Sequence, residues 1–284
     1  MEWEGQQESS NVEDRRGLGT KVGLAGGGIA ILVLIAGLIF GVDTSQLAKL
    51  IGGGDEQAEQ GQRTVNPAED QMAKFSSVIF RSTEVVWQDQ FERLGKRYVQ
   101  PKMVLYTDHV NSGCGSADSS VGPFYCGADQ HVYLDLSFFK EMETKFGAPG
   151  EFARAYVIAH EVGHHVQHLL GYSARAEELR RSGRESQNQA SVRLELQADY
   201  FAGVWGHHAK DTFKINAKDI ETAIKAAFEI GDDRLQRKWG GGRVSPEKFT
   251  HGTSKQRTHW FMQGYESGSV SEAAQLFEKP YSQL

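Results

Sequence analysis

The alternation of hydrophobic and polar positions changes character along the chain. Residues 22–42, VGLAGGGIAILVLIAGLIFGV, carry no charge at all, whereas between residues 44 and 62 large apolar side chains are scarce among Gly, Gln and acidic residues. Beyond Asn66 the pattern becomes amphipathic. Met72, Phe75, Ile79, Val86, Phe91 and Leu94 recur at spacings that suit one face of a long helix, with Asn66 placed to cap it and Pro67 at its first position. Helical patterning also covers residues 151–170, 187–208, 217–230 and 254–267, punctuated by Gly171, Gly231 and the glycines at 240–242. Residues 103–106 and 131–136 read as extended. The expected fold class is α+β, mostly helical with a small sheet.

The uncharged run of 21 residues matches the ~20 needed to cross a hydrocarbon core of ~30 Å as one helix. It is longer than the ~7–15 residues of a signal-peptide core, and no small-x-small cleavage site follows it, so an uncleaved anchor is expected. Four parts follow: an N-terminal segment (1–21), a transmembrane helix (22–42), a flexible linker (43–65) and one globular domain (66–284). Arg15, Arg16 and Lys21 precede the run closely with no cationic excess behind it. By the positive-inside rule the N-terminus is then cytoplasmic, and the domain periplasmic or extracellular. Gly23, Gly27, Gly37 and Gly41 give two G-x-x-x-G spacings through which the helix can pair in a homodimer.

Charge and cysteine content narrow the chemistry. Against 37 acidic residues there are 31 basic ones, a net charge of -6, and no Lys/Arg cluster forms a phosphate-binding stripe, so no nucleic-acid partner is expected. The two cysteines, Cys114 and Cys126, flank a Gly- and Ser-rich stretch that suits a closed surface loop. They are too few for a thiolate metal site, and outside the cytoplasm they can persist as one disulfide.

The candidate chemistry lies in YVIAHEVGHHVQH, where His160, Glu161 and His164 form H-E-x-x-H. Helix residues four apart differ by about 40° around the axis, so both imidazoles share a face and can share a metal ion. Glu161 beside them is placed to take a proton from a water on a zinc ion. The apolar turn before His160 indicates a buried helix, where such a cluster is costly without a metal. Glu195 and Asp199, again four apart in LELQADYFAGVWG, offer a third ligand and an acceptor for a ligand histidine's other N–H. His165 projects about 100° from His164 and is expected to pack instead. Gln167 and Leu170 replace the Gly and final His of the metzincin pattern.

These two helical motifs, with GPFYC, VYLDLSFF and the late THGTSKQR segment, resemble the bacterial neutral zinc metallopeptidases, single-span membrane proteins, over nearly the whole chain. The resemblance implies a gluzincin-like zinc site with Zn2+ held by His160, His164 and Glu195 and Glu161 as catalytic acid and base, but it implies no substrate; the chemistry of the site makes peptide-bond hydrolysis, with a peptide or protein as substrate, the leading expectation. In THGTSKQR a polar turn leads into a helix expected to be capped by Ser254, where His251 is a candidate donor to the developing oxyanion and Arg257 can pair with Asp199 or another acid; the competing reading has His251 helping to cap the helix and Arg257 in a structural ion pair, and the segment's similarity to a turn in integral-membrane gluzincins favours the functional reading. The segment 131–136 fits either an exposed edge strand that binds substrate or an ordinary core strand. Two other functions compete with peptide hydrolysis: hydrolysis of small amides or esters, and a metal-stabilised, non-catalytic binding domain.

Overall fold

The computed structural model describes residues 1–17, 66–145, 147–239 and 244–284. The expected transmembrane helix, its glycine spacings and the linker lie outside the described residues. Among those described, no helix is long and apolar enough to cross a membrane.

The fold is α+β and mostly helical. Helix α1 (Pro67–Arg93) starts where the sequence placed it: the Asn66 side chain accepts from the Ala68 N–H, and Glu69 and Asp70 lie in the first turn, where carboxylates favour the helix dipole. Its inward face buries Phe75, Ile79, Trp87 and Phe91. The strands follow as β2 (Lys102–Tyr106), the hairpin β3 (His109–Ser112) and β4 (Gly115–Asp118), then β5 (Phe124–Cys126) and β6 (His131–Asp135). The stretch between the cysteines, expected as a surface loop, thus contains a strand of each sheet. A short helix α2 (Ser137–Thr144) leads to α3 (Glu151–Leu170), α4 (Tyr172–Arg181), α5 (Gln187–Ala209), α6 (Ala217–Glu229), α7 (Asp232–Trp239), α8 (Ser254–Ser267) and α9 (Gln275–Glu278).

Two findings depart from the sequence reading. Met1–Arg15 belongs to the same compact unit as Asn66–Leu284 and is no separate segment. Its strand β1 (Val12–Asp14) pairs in parallel with β2, Val12 opposite Met103 and Asp14 opposite Leu105. Further, β6 is an interior strand: the main sheet runs β1-β2-β6-β5, so the alternating segment 131–136 cannot serve as an exposed edge. Its alternation arises because Val132 and Leu134 face the main core while Tyr133 joins a smaller cluster with Val104, Tyr106, Val110 and Cys126 on the other face.

The core around the site is a helix stack in which α5 is central, packed on α3 and on α8. Small residues set how closely these helices approach. A Cβ added at Gly163, inside H-E-V-G-H, would lie 2.9 Å from the Ala198 carbonyl oxygen, so only glycine lets α3 and α5 cross there. Between α5 and α8, a Cβ at Gly203 would meet the Phe261 carbonyl at 2.1 Å. Close crossing at these points brings side chains from three helices to one centre.

Candidate metal centre

Helix α3 supplies His160, Glu161 and His164 from its buried face, and α5 supplies Glu195 and Asp199. A capping box fixes the start of α5: Ser186 Oγ accepts from the Gln189 N–H, and the Gln189 side chain accepts from the Ser186 N–H. Where the helices cross, Glu195 Oε2 lies 3.3 Å from His160 Nε2 and Oε1 lies 3.5 Å from His164 Nε2. These separations are long for hydrogen bonds. They match a metal site: with Zn–N and Zn–O bonds of ~2.0–2.1 Å, tetrahedral geometry puts neighbouring ligand atoms about 3.3–3.4 Å apart. Among the described residues this is the one His/Cys/Asp/Glu cluster with metal-binding spacing.

The surrounding hydrogen bonds orient the ligands. Asp199, fully buried, accepts from His160 Nδ1 at 2.8 Å and turns Nε2 toward Glu195; burial opposes a charge on this imidazole, but the two carboxylates raise it to about 10, so a metal ion at Nε2 would displace a proton. Asp199 also accepts from Tyr156 Oη at 2.5 Å, Arg257 Nη2 at 2.9 Å and, through its other oxygen, Arg257 Nε at 2.8 Å. On the second ligand, His164 Nδ1 donates to Gln167 Oε1 at 2.9 Å, and Gln167 Nε2 in turn donates to the Leu194 carbonyl at 2.6 Å. Gln167 entered the sequence reading only as a departure from a different motif. Its position three residues after His164, on the same helix face, was the available signal.

Electrostatics point the same way. Burial opposes ionisation of Asp199, but Arg257 and His160 hold its carboxyl below its ordinary value. Glu195 is likewise buried, and the two imidazoles hold it well below the usual carboxylate range. Burial pushes Glu161 up to about 7. Burial also lowers His164, keeping it neutral and able to ligate.

The centre opens into a cavity of about 730 Å³, lined by His160, Glu161, His164 and Glu195 and by an apolar wall that includes Val121, Phe124, Phe138, Ile230 and Leu235. Strand β5 forms part of that lining. It is the last strand of its sheet, and the backbone of Tyr125 acts on Glu161 in the direction that lowers it, against the larger effect of burial. The Tyr125 hydroxyl donates to His165 Nδ1 at 3.0 Å, while His165 Nε2 donates to the Val99 carbonyl at 2.6 Å. Burial lowers His165 to about 4, so it is a neutral spacer between α3 and β5, as expected of a packing residue. Cys114 and Cys126 form a disulfide that ties β5 to the β3–β4 hairpin.

His251 lines the same cavity. It does not cap α8: Thr253 does, in a capping box with Gln256, which shifts the cap one residue from the expected Ser254. The loop is held by Asp232 at the start of α7, whose Oδ2 accepts from the backbone N–H groups of Thr250, His251 and Gly252 at 2.7, 2.6 and 3.0 Å. Its Oδ1 faces His251 Nδ1 at 3.2 Å, and this contact raises the imidazole above its ordinary value. His207 and His208, too far along α5 for the centre, bind the carbonyls of Tyr265 and Gly268.

Comparison with known proteins agrees with this arrangement. The chain is 48% identical to the protein YpfJ of Escherichia coli K12, covering 96% of this chain and 97% of that one. It is 42% identical over 198 residues to Rv2575 of Mycobacterium tuberculosis H37Rv, covering 66% of this chain and 64% of the relative. No solved structure matches. Residues 1–276 match the family described as "Putative neutral zinc metallopeptidase", which spans the ligand helices and the loop that carries His251. The chain belongs to that family of neutral zinc metallopeptidases.

Proposed function

We propose that the protein is a membrane-attached zinc peptidase of gluzincin type, with His160, His164 and Glu195 holding the metal and Glu161 moving the proton. The observation that carries this reading is the joint placement of a three-ligand set and a buried, unspent carboxylate in one open cavity. A purely structural zinc favours four protein ligands and needs no adjacent base. Bound zinc supplies Lewis acidity that polarises the scissile carbonyl and acidifies a water. Glu161, raised to about 7, is basic enough to take that water's proton and acidic enough to return it to the leaving amine. Asp199, Arg257 and Tyr156 hold His160, and Gln167 holds His164. His251, kept charged by Asp232, donates to the oxygen on which negative charge develops.

A peptide substrate fits better than a small amide. The open edge of β5 beside Glu161 offers backbone hydrogen bonds to an extended chain, and the apolar wall accepts side chains on either side of the cleaved bond. Attachment to a bilayer rests on the uncharged run 22–42. The test is incubation of the detergent-solubilised full chain with a mixed peptide library, with and without a chelator. Cleavage that stops on chelation and returns with added zinc is expected; cleavage unaffected by metal removal contradicts the proposal.

A further inference from the structure

Residues 1–15 are structural members of the domain that follows residue 66. The backbone of Asn11 accepts from the Met103 N–H at 2.9 Å, and Arg15 donates its N–H to Leu105 at 2.8 Å, at either end of the β1–β2 pairing. Trp3 is buried at 5% exposure, donates Nε1 to Glu151 at 2.8 Å and packs edge-on against Phe75. Glu84, 1% exposed on α1, receives Ser9 Oγ at 2.6 Å and Asn11 Nδ2 at 2.8 Å, with Arg81 as its third partner. Undocking the N-terminal segment would bare Trp3 and strip the buried Glu84 carboxylate of two of its three donors, which is costly.

Strand pairing requires backbones about 4.8 Å apart. If the run 22–42 crossed a bilayer once, residues 1–15 and 66–284 would be separated by a hydrocarbon core of ~30 Å and none of these contacts could exist. The orientation signal is also weaker than the sequence suggests. Of the three cations before the run, Arg15 is paired with Glu13 at 2.9 Å and Arg16 is buried at 6% exposure.

We propose that Met1–Arg15 and Asn66–Leu284 occupy one aqueous compartment. The Cys114–Cys126 disulfide identifies that compartment as an oxidising one. One consequence concerns the site: β1 covers the β2 edge of the main sheet, leaving β5, beside Glu161, as its open edge among the described residues.

The test uses the full-length protein in intact cells. Asn11 Nδ2 and Gln100 Oε1 are 2.8 Å apart and both residues are exposed or half-exposed, so the pair Asn11→Cys/Gln100→Cys is bridged by a short bifunctional maleimide in an arrangement that keeps β1 docked. A linked 11–100 peptide pair within one chain, found by mass spectrometry, is the expected result. Because Asn11→Cys alone weakens docking, exposed single variants Glu4→Cys and Lys96→Cys are labelled separately with a membrane-impermeant maleimide. Equal labelling supports a shared compartment, whereas labelling of one with protection of the other overturns it.

Discussion

The ligand side of the cavity and the wall that faces it are held by different kinds of contact. On the ligand side, α3 and α5 each carry their residues four apart, and Arg257 of α8 closes an ion pair with an Asp199 that is fully buried. The facing wall includes a three-residue strand that a disulfide ties to a hairpin outside the cavity, and a loop held by Asp232, with His251 half exposed. Helix periodicity determines the first region locally, and a buried charge network makes it intolerant of loss. The second depends on contacts between segments distant in sequence, and under the proposed function it is the side that meets substrate. A metal can therefore be held firmly while the substrate-facing wall varies.

The largest effect expected from this contrast is at Arg257. Arg257→Ala leaves Asp199 buried without its counter-charge, at a cost of about 3–5 kcal/mol. Thermal or denaturant unfolding should show the loss, together with lower zinc occupancy. A variant with wild-type stability would mean that the buried ion pair does not anchor the centre.

The two regions also differed in how far the sequence disclosed them. His160, Glu161, His164, Glu195 and Asp199 were legible because ligand spacing and helix periodicity are both short-range properties. Gln167 was within reach by the same rule, while Tyr156 and Tyr125 were not, since their roles arise from packing across elements. Residues 131–136 stayed open between an edge strand and a core strand, and the core strand holds: alternation in β6 marks two apolar clusters on opposite faces, a pattern that a solvent-facing edge also produces. Strand β1 was missed for a related reason: one apolar and two acidic residues, VED, pair through their backbone, which side-chain periodicity does not report.

Reducing the Cys114–Cys126 disulfide probes the substrate-facing wall. The short loop it closes is worth about 3 kcal/mol in the chain-entropy model. We expect a lower melting temperature and a raised KM with zinc content unchanged. Loss of zinc in parallel with substrate binding would show that the two regions are one mechanical unit.

Gln167→Ala should act on the ligand side alone, lowering zinc affinity about 10–100-fold, the range expected when a ligand's hydrogen-bond partner is removed. A competition titration with a chelator measures this. His165→Ala, which alters a spacer and no ligand, should change affinity far less, and equal effects would contradict the assigned roles.

The smallest effect concerns the His251–Asp232 contact. His251 is raised, so its contribution to loop docking is complete below its ordinary value of 6.5 and disappears as pH rises through its shifted value. Asp232 is buried, which opposes ionisation, yet hydrogen bonds from His251 and the loop lower it. Its contribution is present above its ordinary value of 3.8 and is lost in stronger acid. The stability difference between wild type and His251→Ala should therefore be greatest in mildly acidic solution and shrink above neutrality; a difference independent of pH would remove charge from the account.

The central claim is that Glu161 moves the proton while three other side chains hold the metal. Glu161→Gln preserves size and spares all three ligands, so it isolates that claim. Zinc content measured beside peptide hydrolysis by the same full-length preparation should show full metal occupancy with kcat reduced by about 10²–10⁴, the range for loss of a general base. Wild-type turnover by a zinc-loaded Glu161→Gln protein would contradict it.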